Sequence, residues 1–418
     1  GTEAAVPLRC MIEAFIHEWG SLLLRWAHII TGIAWVGASF YFMHMDAAIR
    51  GTPDLPSEKG GEVWEVHGGG FYQVRKYLIA PDFLPQHLIW HKWQAYTTWI
   101  TGFFLLVWIY YLGADLYLID PDVLVISPWV AAGFGIVGLA AGWLVYDQLC
   151  KSDLSKNDLY LSVACFVLVV VAAFGFQSVF SGRGALIHAG AFMATIMTAN
   201  VFFIIIPNQR VVVADLKAGR NPDPALGKQA KQRSAHNNYL TLPVLFLMLV
   251  GHYPLTFSTP YAFVIVALVL IGGAVIRVFF NMRNAGQGDQ WWTWGVALLC
   301  LAGAVAISLT STPLGRKAIA ITQKIDGGVP MKVSIAPDMI TDIVAGRCSM
   351  CHARQPSYRG IVIAPKGIVL DTAADVARHA RSIYVNSVLS TAMPPNNVSG
   401  MTLSERRQIA SWIEGRTR

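Results

Sequence analysis

Eight runs of predominantly apolar residues, each long enough to cross a bilayer as a helix, recur along the chain. They occupy 20–44, 88–112, 128–148, 158–180, 185–206, 238–257, 261–282 and 291–311. The stretch 46–87 between the first two is long for a bundle connection. Within it, Glu62-Val-Trp-Glu-Val-His67 alternates polar and apolar positions, Gly68-Gly-Gly70 supplies turn residues, and Phe71-Tyr-Gln-Val-Arg75 resumes the alternation. That pattern predicts a β-hairpin over 60–77. Beyond the last run, 312–337 carries Pro313, Gly315, Gly327, Gly328, Pro330 and Pro337 and reads as a linker. The remainder, 338–418, reads as a small soluble module that closes with an amphipathic helix, Leu403 to Ile413, bearing Ile409, Trp412 and Ile413 on one face. Residues 1–16 read as a lead. The expected fold is all-α: a polytopic membrane helix bundle of about eight spans over 17–311, with a small β-hairpin and a C-terminal module.

Composition agrees. A chain of 418 residues with mean hydropathy +0.47 and only 14% charged residues is too apolar for a soluble domain of that size. The net charge of +7 is therefore no argument for nucleic acid. Its placement matters more. Loops after the first, third, fifth and seventh runs hold Arg50, Lys59, Arg75, Lys76, Lys151, Lys156, Arg210, Lys217, Arg220, Lys228, Lys231, Arg233 and Arg283. The intervening loops hold only Arg183. The positive-inside rule thus puts the hairpin on the cytoplasmic side and the C-terminal module outside. The loop 207–237 reads as a basic tether on the inner side.

The clearest chemistry is Cys348-Ser-Met-Cys351-His352. Two thiols three positions apart can form two thioether bonds to haem vinyl groups, and the adjacent imidazole then falls under the iron. A zinc site would want a second ligand pair, and none follows. A redox disulfide would not need the histidine. Met393, followed by Pro394 and Pro395, supplies a thioether as the second axial ligand. Helix, haem motif, methionine loop and closing helix resemble the plan of a class I cytochrome c. Haem c outside the lipid implies a bacterial inner membrane with this module in the periplasm. A Met/His ligand set raises the haem potential, so the donor should be hard to oxidise. Of the other cysteines, Cys165 and Cys300 lie in apolar runs and read as small hydrophobes, while Cys10 and Cys150 are scattered.

Ionisable residues inside spans are costly and usually serve a site. They fall into two tiers. Towards the outside are His28, with Gly32 one turn on, His188 and His252. Towards the inside are His87 and His91, then His236, Asn237, Asn238 and Arg277. A single histidine is more often an interhelical hydrogen bonder than a ligand; several in one tier point to a cofactor or substrate. A haem b between His28 and His188 would have Arg25 and Arg183 for its propionates. His17, His44 and His379 read as surface or interface residues.

Four segments carry a resemblance: Gly61-Glu-Val-Trp-Glu-Val-His-Gly-Gly-Gly-Phe-Tyr72, Arg25-Trp-Ala-His28, Ser234-Ala-His-Asn-Asn-Tyr-Leu-Thr-Leu-Pro243 and the C-terminal module. Together they resemble the bacterial membrane-bound urate oxidases, urate hydroxylases fused to a cytochrome c. The resemblance implies oxidation of urate to 5-hydroxyisourate, with electrons leaving through the chain's own haem c to the respiratory chain. The implied acceptor is a soluble cytochrome c or a terminal oxidase, and oxygen is not the direct oxidant. Urate is a planar anion, so recognition needs a cation, amides and an aromatic face. The inner tier is expected to supply them: Arg277 for the charge, Asn237 or Asn238 for the ring amides, His236 or His87 as proton acceptor, and Trp64 and Phe71 as a stacking lid. Most of a bilayer core, roughly 30 Å, then separates urate from the outer haem. The route needs an intermediate carrier, or else His28 and His188 flank the substrate. A competing class is a non-enzymatic haem subunit between quinol and cytochrome c. A terminal oxidase is disfavoured because the sequence has no His-His pair.

Overall fold

The computed structural model describes residues 8–57, 59–78, 81, 84–310, 337–359 and 361–416. The first seven residues and the expected linker from 312 to 336 lie outside the described residues. The described chain is mostly helical with one two-stranded sheet. Helix α1 (Leu8–Ala48) is 41 residues long and begins inside the expected lead. Phe15, Ile16 and Trp19 extend its apolar surface there, and all three are exposed.

Strands β1 (Gly60–His67) and β2 (Gly70–Tyr77) form the expected hairpin, with His67 opposite Gly70. Gly68 and Gly69 turn it at φ +59° and +81°. Positive φ at both central residues is what a type I′ turn demands, and glycine adopts it without strain. The hairpin is fastened to helix ends. Arg50 exchanges backbone hydrogen bonds of 3.0 and 2.8 Å with Glu62, and Arg50 Nη2 donates to the Asn284 carbonyl at 3.2 Å. Tyr41 Oη donates to Glu65 at 2.6 Å, and Lys76 pairs with Asp46 at 2.7 Å.

Helix α2 (Trp93–Leu106) runs on through a π-helical turn, Val107–Tyr111. It starts later than expected. Pro81 and Pro85 favour an extended approach, so His87 and His91 lie in irregular chain and are exposed. A short α3 (Ala114–Tyr117) follows. Helix α4 (Pro128–Lys151) is capped by Ser127 with proline at its first position, and α5 (Asp158–Gln177) by Asn157. Helix α6 (Gly182–Ala199) continues through a second π-helical turn, Asn200–Ile205, into α7 (Ile206–Lys217). Helix α8 (Pro224–Leu249) begins where the basic tether was expected. The stretch 207–237 is therefore largely helix, broken only at 218–223. A brief α9 (Pro254–Phe257) precedes α10 (Ala262–Asn284) and α11 (Trp292–Thr310).

Among the described residues, six helical segments are long and apolar enough to cross a membrane: within α1, α4, α5, α6 through α7, α10 and α11. The other two expected runs fall on α2 with its π turn and on the second half of α8. The buried core gathers around α6, where Leu186, Met193 and Ile196 pack with Leu118, Leu161 and Leu247. The outer surface is apolar too: Trp129, Val137, Leu144, Val171 and Leu299 are exposed, as suits helices whose outward faces meet lipid.

The C-terminal module comprises α12 (Pro337–His352), α13 (Ala373–Arg378), α14 (Ala380–Ile383) with a π turn at Tyr384–Leu389, and α15 (Leu403–Arg416). They enclose their own core of Ile340, Val344, Leu370, Val376, Ile383, Val388, Met401 and Ile409. Thr402 and Glu405 form a capping box at the start of α15. Thr391 N donates to Ser258 Oγ at 3.2 Å and Asn397 Nδ2 to Asp122 at 3.3 Å, while Ala392 packs on the bundle core. Ser258 precedes α10 and Asn284 ends it. The module and the hairpin thus sit at opposite ends of that helix, about 34 Å apart at 1.5 Å per residue.

Candidate functional site: one cavity and two arginine clusters

Cys348, Cys351 and His352 occupy the last turn of α12. His352 Nδ1 lies 2.9 Å from the Ile368 carbonyl. A carbonyl only accepts, so Nδ1 carries the proton and Nε2 keeps its lone pair. Across the cleft the Met393 loop is held by Arg406, whose Nη1 donates to the carbonyls of Ser387 at 2.6 Å and Met393 at 2.9 Å. Burial pushes the Cys348 thiol up to about 11 and also raises Cys351, so their surroundings disfavour a free thiolate. Among the described residues no group of three His, Cys, Asp or Glu converges as a metal cage. All four expected haem c residues instead line one cavity. Two thiols, a lone-pair imidazole and a thioether on one cleft fit a covalently held haem.

That cavity measures about 1010 Å³ and does not end at the module. It continues between the bundle helices past Arg25, His28 and Trp35 of α1, Trp99 and Gly102 of α2, Tyr110 of the π turn, Arg183 and Thr195 of α6, and His252. His28 Nδ1 is 3.1 Å from the Thr98 carbonyl and 3.2 Å from Thr101 Oγ1. His188 behaves differently. It is fully buried, with Nδ1 2.7 Å from the Gly184 carbonyl and Nε2 3.2 Å from Tyr111 Oη. Phe176 and Phe180 enclose it, and it does not border the cavity. The expected pairing of His28 with His188 is therefore not formed. Both His188 nitrogens are spent inside the bundle, while His252 and His17 line the cavity in its place.

The inner tier divides in two. In the first cluster, Arg277 Nε donates to Asn238 Oδ1 at 2.7 Å and Nη2 to Asn281 Oδ1 at 3.2 Å. Its guanidinium lies 4.2 Å from the Phe40 ring centroid and 6.0 Å from that of Phe280. Arg277 is 6% exposed and Asn238 fully buried. Among the described residues no carboxylate comes within ion-pair distance of Arg277.

In the second cluster, His236 Nδ1 is 2.6 Å from Tyr146 Oη, and Asn200 Nδ2 donates to Asn237 Oδ1 at 2.9 Å and to Tyr146 Oη at 3.1 Å. Arg233 Nη2 pairs with Asp147 at 2.7 Å, and Lys151 holds the other carboxylate oxygen at 2.6 Å. Consecutive helical residues point about 100° apart at 3.6 residues per turn. Asn237 and Asn238 accordingly serve different clusters, and His236 goes with Asn237, not with Arg277. The expected aromatic lid is also elsewhere: Trp64 is 61% and Phe71 77% exposed on the open face of the hairpin. The aromatic faces beside Arg277 are Phe40 and Phe280. Sequence reading passed over Phe40, Asn281, Arg233, Asp147, Tyr146 and Asn200. Asp147 and Asn200 carried a usable signal, since each is a polar residue in an apolar run.

The sequence model of the urate oxidase N-terminal family matches residues 14–308. No curated protein and no solved structure matches the chain. The C-terminal module, with Cys348, Cys351, His352 and Met393, lies beyond the matched segment.

Proposed function

The chain belongs to the urate oxidase N-terminal family, and from that premise we propose that it oxidises urate to 5-hydroxyisourate and exports the electrons through a haem c in its own C-terminal module. The balance is urate plus water giving 5-hydroxyisourate, two protons and two electrons. The observation that carries this reading is the cavity shared by the bundle and the four haem c residues. A haem held there would supply a one-electron acceptor of raised potential. The residues of the module would hold it: Cys348 and Cys351 through thioether bonds, His352 Nε2 and Met393 Sδ as donors to its iron. Two electrons per urate then require two successive transfers. Haem c chemistry and the charge distribution of the loops support a reading in which this module lies in the periplasm of a bacterial inner membrane and passes electrons to a soluble cytochrome c or terminal oxidase.

Arg277 is the favoured partner for the urate anion. A buried guanidinium without a carboxylate is an uncompensated charge, which an anionic ligand would neutralise. A guanidinium also meets a planar anion bidentately. Asn238 and Asn281 bring carboxamides, and Phe40 and Phe280 bring faces on which a flat ring stacks. This cluster lies towards the hairpin end of α10, the cytoplasmic end on the charge argument. Neither His236 nor His87 stands beside it, so neither is retained as the proton acceptor.

The test is urate-dependent reduction of the haem under nitrogen. Urate should reduce it in the intact chain. Met393→Ala should keep haem attached, lower its potential and slow urate-dependent reduction by roughly tenfold or more. Full turnover with an external acceptor in a chain lacking residues 338–418 would overturn the module as the obligatory exit.

A further inference from the structure

We infer that the bundle lobe of the cavity is a second iron-porphyrin site, non-covalent, with His28 as an axial ligand. The first ground is how the ring is held. His28 Nδ1 faces the Thr98 carbonyl at 3.1 Å, an atom that can only accept. The proton is therefore on Nδ1, and Nε2 keeps its lone pair. Among the described residues Nε2 has no hydrogen-bond partner, and the ring borders the cavity. His352 is anchored in the same way, by Nδ1 on the Ile368 carbonyl at 2.9 Å. Metal-ligating histidines show this pattern: one nitrogen on a backbone carbonyl fixes the tautomer and aims the other. One cavity thus holds two imidazoles set up alike, one in the module and one in the bundle.

The second ground is the wall around His28. Gly102 lies against the imidazole, and a Cβ there would come within 2.7 Å of Cε1. Only glycine lets the ring lie where it does. Trp99, Tyr110 and Met248 offer flat or apolar surface on the same lobe. Arg25 and Arg183 also line the cavity, and among the described residues neither is in ion-pair distance of a carboxylate. Arg183 rests over the rings of Tyr117 and Phe257 at 5.8 and 5.3 Å. Two cations beside apolar and aromatic lining suit the two carboxylates of a porphyrin. His252 and His17 also line the cavity and are the candidates for the other axial position.

The third ground is position. Twelve residues separate His28 from Phe40, about 18 Å along α1 at 1.5 Å per residue, and Phe40 stacks on Arg277. A one-electron carrier at His28 divides the route from the Arg277 cluster to the module into two shorter hops. In that respect it rests on the proposed function, but the site itself does not depend on urate being the donor.

The test counts haem without urate, so its failure is distinct from failure of the urate reading. Purified chain is extracted with acidified acetone, and both fractions are measured as pyridine haemochromes. Expected are about one extractable and one covalent haem per chain. His28→Ala should lose the extractable haem and keep the covalent one. His188→Gln, outside the cavity, should keep both. Should His28→Ala fail to fold, His28→Met retains side-chain bulk and a soft ligand, and should keep the haem with a shifted reduced spectrum. A wild-type chain whose haem is all covalent would overturn the inference. So would a His28→Ala protein with its full extractable haem, or a His28→Met protein with an unchanged spectrum.

Discussion

Two buried arginines, Arg233 on α8 and Arg277 on α10, meet the same problem and resolve it differently. Arg233 is 3% exposed and faces Asp147 at 2.7 Å, with Asn200, Asn237, Tyr146 and His236 closing a network around it. Its charge is cancelled inside the protein. Arg277, 6% exposed, has two carboxamide oxygens and an aromatic face, which solvate a cation without neutralising it. Breaking a buried ion pair strands a charge, whereas removing a lone cation relieves one. The Arg233 cluster therefore closes its own charge between helices, while the Arg277 cluster leaves its charge open and is the one proposed to receive an anion. The difference lies in the presence of one carboxylate.

Three substitutions press on that difference. Arg233→Met leaves Asp147 with only the exposed Lys151 and should cost about 3 kcal/mol or more. The thermal unfolding midpoint of the detergent-solubilised chain measures it, and adding Asp147→Leu should restore most of the loss. An unchanged midpoint in the single variant would remove Arg233 from the structural role. Arg277→Lys keeps the charge and loses the fork. It should raise the KM for urate on the order of 10- to 100-fold with little change in midpoint; an unaltered KM would move the substrate away from this cluster. Asn238→Asp is the mildest and the most direct. It puts a carboxylate where an amide oxygen now stands 2.7 Å from Arg277 Nε, giving the Arg277 cluster the ion pair that Arg233 already has. The midpoint should rise by about 1 kcal/mol in equivalent stability while urate binding weakens roughly tenfold. Tighter urate binding in this variant would contradict an anion site.

What the sequence disclosed depends on range. Apolar runs located the long helices because burial in lipid needs only composition and length. The hairpin was legible because its glycines and alternation act within a few residues. Arg277 stood out as a charge in an apolar run. The extent of α8 was hidden: Lys228, Lys231 and Arg233 read as a soluble tether, yet Arg233 turns inward to a carboxylate 86 positions away. Such pairing leaves no local trace. His188 misled for a related reason. Its place in the outer tier beside His28 suggested a ligand, but Tyr111, on the π-helical turn that continues α2, lies 3.2 Å from its Nε2. A π turn shifts the register of every later side chain, and no periodicity argument on an ideal helix anticipates it.

The polar contacts of Thr391 with Ser258 and of Asn397 with Asp122, between the C-terminal module and the bundle, bear on kinetics more than on stability. Hydrogen bonds of this kind contribute only about 1 kcal/mol each, so these two add little to docking beyond the packing of Ala392 on the bundle core. Both bodies nevertheless belong to one chain, and linked partners meet at effective concentrations on the order of millimolar. Return after any separation is therefore unimolecular. Met393 lines the cavity shared with the bundle, so an acceptor approaching the module from that edge would have to meet it undocked. On the proposed route each urate would call for two transfers, and a tethered module that undocked between them would return without a bimolecular search.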